Sequence, residues 1–154
     1  MSVFCCILLV ISFGFYQQES QAPFKISIAT EKSTVVAGAD VLINVSLTNT
    51  SNQNVEETVM YQDGIGIDST FRFEVRDEHG KLVPKRVYPD EEYRTGSFRL
   101  HAISAGCTLT QPQPVSALFD MRKPGKYTVQ VWRPDPNYEI KSNMITITVT
   151  PEGT

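Results

Sequence analysis

Pro124-Gly125-Lys126-Tyr127-Thr128-Val129-Gln130-Val131 is the stretch whose reading decides the fold. Pro and Gly close a turn, after which Tyr127, Val129 and Val131 alternate with Thr128, Gln130 and Trp132, the period of a strand buried on one face. A second alternating run, Met144 to Thr150, sets Ile145, Ile147 and Val149 against Thr146, Thr148 and Thr150. Between Phe119 and Val149 the two runs predict the last hairpin of an all-β domain.

The same grammar extends upstream. Phe24–Ile28 alternates as a first strand. Val41–Thr48 follows, with Val41, Ile43, Val45 and Leu47 inward, and Val36–Asp40 is the turn between them. Asn49 to Asn54 is a run of residues whose side chains bond nearby backbone and so end strands. Val55–Tyr61 is a further strand, and Thr70–Asp77 places Phe71, Phe73 and Val75 on its inner face. Asp77-Glu78-His79-Gly80 turns that chain back into Lys81–Pro84. Ser97–Ile103 and Thr108–Thr110 are two more strands. Gln111–Pro114 is expected to connect them to Val115–Met121, a turn of helix or a bent strand whose Leu118 and Phe119 plug the core. With about seven to nine short strands and no helical periodicity, an antiparallel β-sandwich is expected, with a barrel as the alternative.

Composition bounds the function. The 154 residues suit one domain, and the 41% hydrophobic and 20% charged content is globular. A net charge of −3 gives no electrostatic reason to bind nucleic acid or an anionic membrane. Residues 1–22 differ in kind. Val3–Tyr16 is apolar almost throughout, too short to span a bilayer as a helix but suited to a signal-peptide core, and Ser20-Gln21-Ala22 offers the small residues of a cleavage site. The expectation is a signal peptide over 1–22, a single domain over 23–154, and export to the periplasm, cell surface or medium, with no membrane span after cleavage. Pro23 and the lack of a Lys or Arg before the apolar run depart from that pattern. Beyond the leader, which holds Cys5 and Cys6, only Cys107 remains, so no intramolecular disulfide is expected.

No catalytic constellation stands out. His79 and His101 lie in separate β contexts without metallopeptidase spacing, and the aspartates of Asp63-Gly64-Ile65-Gly66-Ile67-Asp68 lack the carboxylate density of a calcium loop. Neither a metal nor another cofactor is expected, and no phosphate-binding glycine loop is present. Asn44-Val45-Ser46 and Asn49-Thr50-Ser51 match the glycosylation pattern, which matters only in a eukaryotic secretory pathway.

The residues that bear on binding are aromatic. Alternation sends Trp132 to the outer face, beside Arg133 and across the Asp135-Pro136-Asn137 turn from Tyr138. Trp132, Arg133 and Tyr138, extended by Tyr61 or Tyr93, form an aromatic platform for a glycan or protein partner, or else Trp132 and Tyr138 staple their own hairpin. Strand addition at an exposed sheet edge is a second route to a partner.

Gly125-Lys126-Tyr127-Thr128-Val129 resembles the tyrosine corner of immunoglobulin-like domains, with Val129 where antibody domains carry a cysteine. The resemblance implies structural roles for Gly125 and Tyr127, whose hydroxyl would bond an upstream carbonyl. More widely, the blocks Val45–Ser51, Phe73–Lys81, Leu118–Val129 and Lys141–Val149 resemble small exported bacterial immunoglobulin-like proteins of unassigned activity. They are similar, more distantly, to the pro-region of deuterolysin-type metallopeptidases and to the bacterial intracellular proteinase inhibitor domain. The implied protein is an immunoglobulin-like, non-enzymatic binding or accessory module. The alternative is a proteinase-inhibitor-like or pro-domain-like module that inserts the loop Asp63–Asp68 or Lys85–Tyr93 into a protease.

Overall fold

The computed structural model describes residues 22–62, 67–68, 70–86 and 96–153, without side chains at 58–62, 67–68 and 96–99. Residues 1–21, and with them the expected leader, lie outside that set. In chain order the first strands are β1 (Phe24–Ala29), β2 (Thr34–Val36), β3 (Leu42–Asn49), β4 (Val55–Gln62) and β5 (Ile67–Asp68). They are followed by β6 (Arg72–Arg76), β7 (Gly96–Ile103), β8 (Thr108–Pro114) and one helical turn, α1 (Val115–Leu118). The chain ends with β9 (Gly125–Pro134), β10 (Glu139–Lys141) and β11 (Ile145–Thr150).

The fold is all-β, and the described residues form three sheets. One has the order β1-β3-β8 and is antiparallel throughout. The second is centred on β9, with β6 on one side, β10 and β11 in succession on the other, and β2 beyond β11. The third is the ribbon β5-β4-β7. Alternation accounts for the core: Ile26 and Ile28 of β1, Ile43, Val45 and Leu47 of β3, Phe73 and Val75 of β6, and Tyr127, Val129 and Val131 of β9 are buried in a single cluster. Phe119 and Met121, which follow α1, are buried in the same cluster.

Three segments depart from the sequence reading. Val36, expected to open a turn, ends β2, which pairs parallel with β11 (Val35 beside Val149). So short a strand, with one inward residue, carries no legible alternation. The chain thereby leaves the β1 sheet and joins the β9 sheet within a few residues. Gln111–Pro114, expected as a connector, continues β8 opposite β3. Pro112 and Pro114 are tolerated because β8 is an edge strand, where a missing N–H breaks no inner ladder. Its inward residues, Gln111 and Gln113, are polar, which hid the pattern. Ile67–Asp68, expected within an open loop, is paired with β4 as β5.

Two asparagines stitch the sheets. Between β10 and β11 a bulge sets Asn143 and Met144 against Gln130 alone, since Lys141 pairs with Trp132 and Ile145 with Val129, while Ser142 is bonded to Val131. The bulge aims Asn143 at β1, where its amide accepts from Ile28 N at 2.9 Å and donates to Ile28 O at 3.0 Å. Asn49, at the end of β3, is 0% exposed. Its Nδ2 donates to the carbonyls of Gln53 (2.7 Å) and Ile103 (2.8 Å), and its Oδ1 accepts from the N–H and hydroxyl of Ser51. A side chain so enclosed is no glycan acceptor in the folded protein, which removes the Asn49-Thr50-Ser51 match from consideration.

Candidate functional site

The sheet centred on β9 has one exposed face, and its residues follow from register. Across one row run Arg72 of β6, Trp132 of β9 and Lys141 of β10; the next row pairs Glu74 with Gln130, and the next Arg76 with Thr128. Trp132 is 38% exposed in the middle of this polar surface. Around it, Arg76 Nε donates to Glu74 Oε1 at 2.6 Å, and Lys141 is ion-paired with Glu139. Gln130 Nε2 donates to Ser142 O at 2.9 Å. The turn after β9 is held by Asp135, whose Oδ1 accepts from the N–H groups of Asn137 (2.8 Å) and Tyr138 (3.1 Å). Together these residues line a shallow depression of about 1060 Å³ with Trp132 in its wall.

All three residues singled out for binding border this depression, but only Trp132 is exposed, while Arg133 and Tyr138 are half-buried. Lys141 is the cross-strand neighbour of Trp132. Tyr138 precedes the outward Glu139 and shares strand parity with buried Ile140, and it packs partly against the core while also lining the depression. Arg133 shares the inward parity of Val129 and Val131. Its guanidinium lies 5.4 Å from the centroid of the Phe24 ring, and its Nη1 is 2.6 Å from Glu57 Oε1. Glu57, on β4, is 3% exposed. This contact ion pair fastens the β4–β7 ribbon to the β9 sheet, so Arg133 serves the interior. Sequence reasoning missed Glu57 because a charged residue at an inward position interrupts the apolar pattern that marks burial.

At the opposite end of β9, Tyr127 is 5% exposed and its hydroxyl donates to Lys123 O at 2.8 Å. Burial, with Asp120, Asp77 and Glu78 nearby, raises its pKa above the ordinary tyrosine value. Gly125, which opens β9, has φ +151°, a backbone conformation L side chains rarely adopt. Nearby, a hydrogen bond from Arg122, outweighing a small desolvation cost, lowers the Asp120 carboxyl to about 2. A second depression, of about 470 Å³, lies between the Asp77–Gly80 turn and Lys123–Tyr127.

Other expected features are dispersed. His79 is exposed on its turn, 3.7 Å from Glu78, whereas His101 stands on β7 opposite Glu57. Among the described residues no group of His, Cys, Asp or Glu is arranged to hold a metal ion, and no helix is long and apolar enough to cross a membrane. Cys107 is exposed in the turn before β8. Most of the loops Asp63–Asp68 and Lys85–Tyr93, the Tyr61 side chain and Tyr93 lie outside the described residues.

No family model matches the chain, and no curated protein matches it. Among solved structures it is similar to the alkylpurine DNA glycosylase AlkC of Pseudomonas fluorescens bound to DNA containing an abasic site analog (12% identity, TM-score 0.43, 83% of this chain and 30% of that one). It is also similar to a β-glucosidase from Erythrobacter marinus (14%, TM-score 0.43, 82% and 15%). A third is a β-glucosidase from Listeria innocua in complex with isofagomine (14%, TM-score 0.41, 84% and 16%). The chain thus spans less than a third of the length of each of these proteins, and at such scores none of the likenesses bears on activity.

Proposed function

We propose that this chain is an exported, non-enzymatic binding module with an immunoglobulin-like β-sandwich, and that it engages its ligand on the outer face of β6, β9 and β10. The sandwich is supported by the antiparallel sheet β1-β3-β8 and the β9-centred sheet sharing one core, by the strand switch from β1 to β2 with its parallel partner β11, and by the Tyr127–Lys123 hydrogen bond at the start of β9. The observation that carries the binding reading is Trp132. A large aromatic surface held open to water on a rigid sheet, amid groups already paired with one another, is available to a partner without rearrangement.

The test compares the wild-type chain with Trp132→Ala, each shown to be folded by circular dichroism, for retention of cell-envelope material after washing. Retention by wild type and its loss in the variant is the expected result. Equal retention by both proteins would place the ligand elsewhere, and sustained turnover of a substrate would overturn the non-enzymatic reading.

A further inference from the structure

We infer that the Trp132 face takes an uncharged carbohydrate chain, an inference that rests on the binding reading just given. The surface offers one exposed indole face, and around it side chains that between them supply both donors and acceptors. On this face Glu74, Asp135 and Glu139 are matched in number by Arg72, Arg76 and Lys141, Arg133 being neutralised by Glu57, so the surface has no net charge to attract an ionic ligand. The charges are also engaged: Arg76 with Glu74, Lys141 with Glu139 and Arg133 with Glu57. Each of the two outer pairs presents carboxylate oxygens and N–H groups in one fixed arrangement, which suits hydroxyls that must donate and accept at once. Gln130 adds an acceptor, because its Nε2 is committed to Ser142 and its Oε1 has no partner among the described residues.

The dimensions agree. Three adjacent strands span about 10 Å, the width of a short oligosaccharide laid across β6, β9 and β10. The C–H face of a pyranose is apolar and flat, so it would stack on the indole while its equatorial hydroxyls reach the flanking pairs. A protein partner is a poorer match, since the apolar surface offered is one indole and part of a phenol ring, far short of the ~800 Å² per side of a stable protein interface.

Trp132 is the single tryptophan of the chain, so tryptophan fluorescence excited selectively at the red edge reports this face alone. The full chain would be titrated with uncharged β-linked and α-linked glucose, xylose and N-acetylglucosamine oligosaccharides, and with an acidic oligogalacturonide, at low and high salt. Isothermal calorimetry would be run in parallel. At least one uncharged oligosaccharide should shift the Trp132 emission with an affinity that salt leaves unchanged. Trp132→Ala should weaken that binding by about tenfold or more and Gln130→Ala by a few-fold, roughly what loss of one stacked ring and one hydrogen bond implies. Binding of the acidic oligosaccharide alone, or of a protein in a Trp132-dependent way, would overturn the uncharged-carbohydrate inference and leave the Trp132 face as a binding surface. Uncharged-sugar binding that Trp132→Ala does not weaken would overturn both. Failure of every oligosaccharide to bind the wild-type chain would overturn the inference.

Discussion

Replacing Tyr127 by Phe removes one oxygen and keeps the ring that fills the end of the core. What is lost is the hydrogen bond to Lys123 O at 2.8 Å, at a residue 5% exposed. A neutral hydrogen bond contributes about 0.5–1.5 kcal/mol net, and the stranded Lys123 carbonyl brings the cost to about 1–2 kcal/mol. For a domain of this size that lowers Tm by about 3–8 °C. The pH dependence supplies a second reading from the same pair of proteins. The Tyr127 pKa is raised in the folded state, so above about pH 10 the unfolded chain releases a proton that the native protein retains. The stability that Tyr127 contributes is therefore complete below about pH 10 and is lost as the pH climbs from there through the raised value. The phenylalanine variant has no hydroxyl to titrate at this position, so the gap between wild type and variant should narrow as the pH rises through that window. Urea melts followed by circular dichroism from neutral to alkaline pH measure both effects. Equal stability at neutral pH, or a gap that widens in alkali, would refute the reasoning.

Other perturbations follow from the same structure. Arg133→Met leaves the Glu57 carboxylate buried without its guanidinium and should destabilise by about 3 kcal/mol in urea melts, with Glu57→Gln added in the double variant recovering much of the loss. Asn49→Ala removes a fully buried amide that makes four hydrogen bonds and should cost about 2–4 kcal/mol; a cost within error of zero would mean that water replaces them. The Asp120 carboxyl, held at about 2 chiefly by its hydrogen bond from Arg122, contributes stability present above its ordinary pKa of 3.8 and lost as pH falls towards 2. Because both side chains are largely solvated, Asp120→Asn should cost no more than about 1 kcal/mol at neutral pH, with the difference vanishing in acid titrations.

What was legible in the chain was whatever one strand writes by itself. Val41, Ile43, Val45 and Leu47, or Phe71, Phe73 and Val75, announce a buried face because their neighbours are polar, and all of them are buried. The position of Trp132 followed from the same rule. Applied one residue further, the rule also sends Arg133 inward, but its charge made the outer face look natural. The partner that makes an inward arginine tolerable, Glu57, is far away in sequence and itself reads as a break in pattern. Asn49 was readable as a strand terminator, since its bonds to Ser51 and Gln53 are local. The bond to Ile103 O, which makes it a junction between β3 and β7, is visible only in three dimensions. β2 and the second half of β8 went unread for related reasons. One is too short to show a period and finds its parallel partner at the far end of the chain, and the other carries prolines and inward glutamines that only an edge position next to β3 accommodates.

The most direct test of the Trp132 face is the lone indole Nε1–H resonance in the nitrogen–proton correlation spectrum of the labelled chain, recorded while envelope glycans are added. It should move, together with the amides of Gln130, Trp132 and Lys141, while signals from the Tyr127 end of β9 stay in place. A spectrum in which the indole signal is unmoved and the shifts gather on β7 or around Tyr127 would contradict the account.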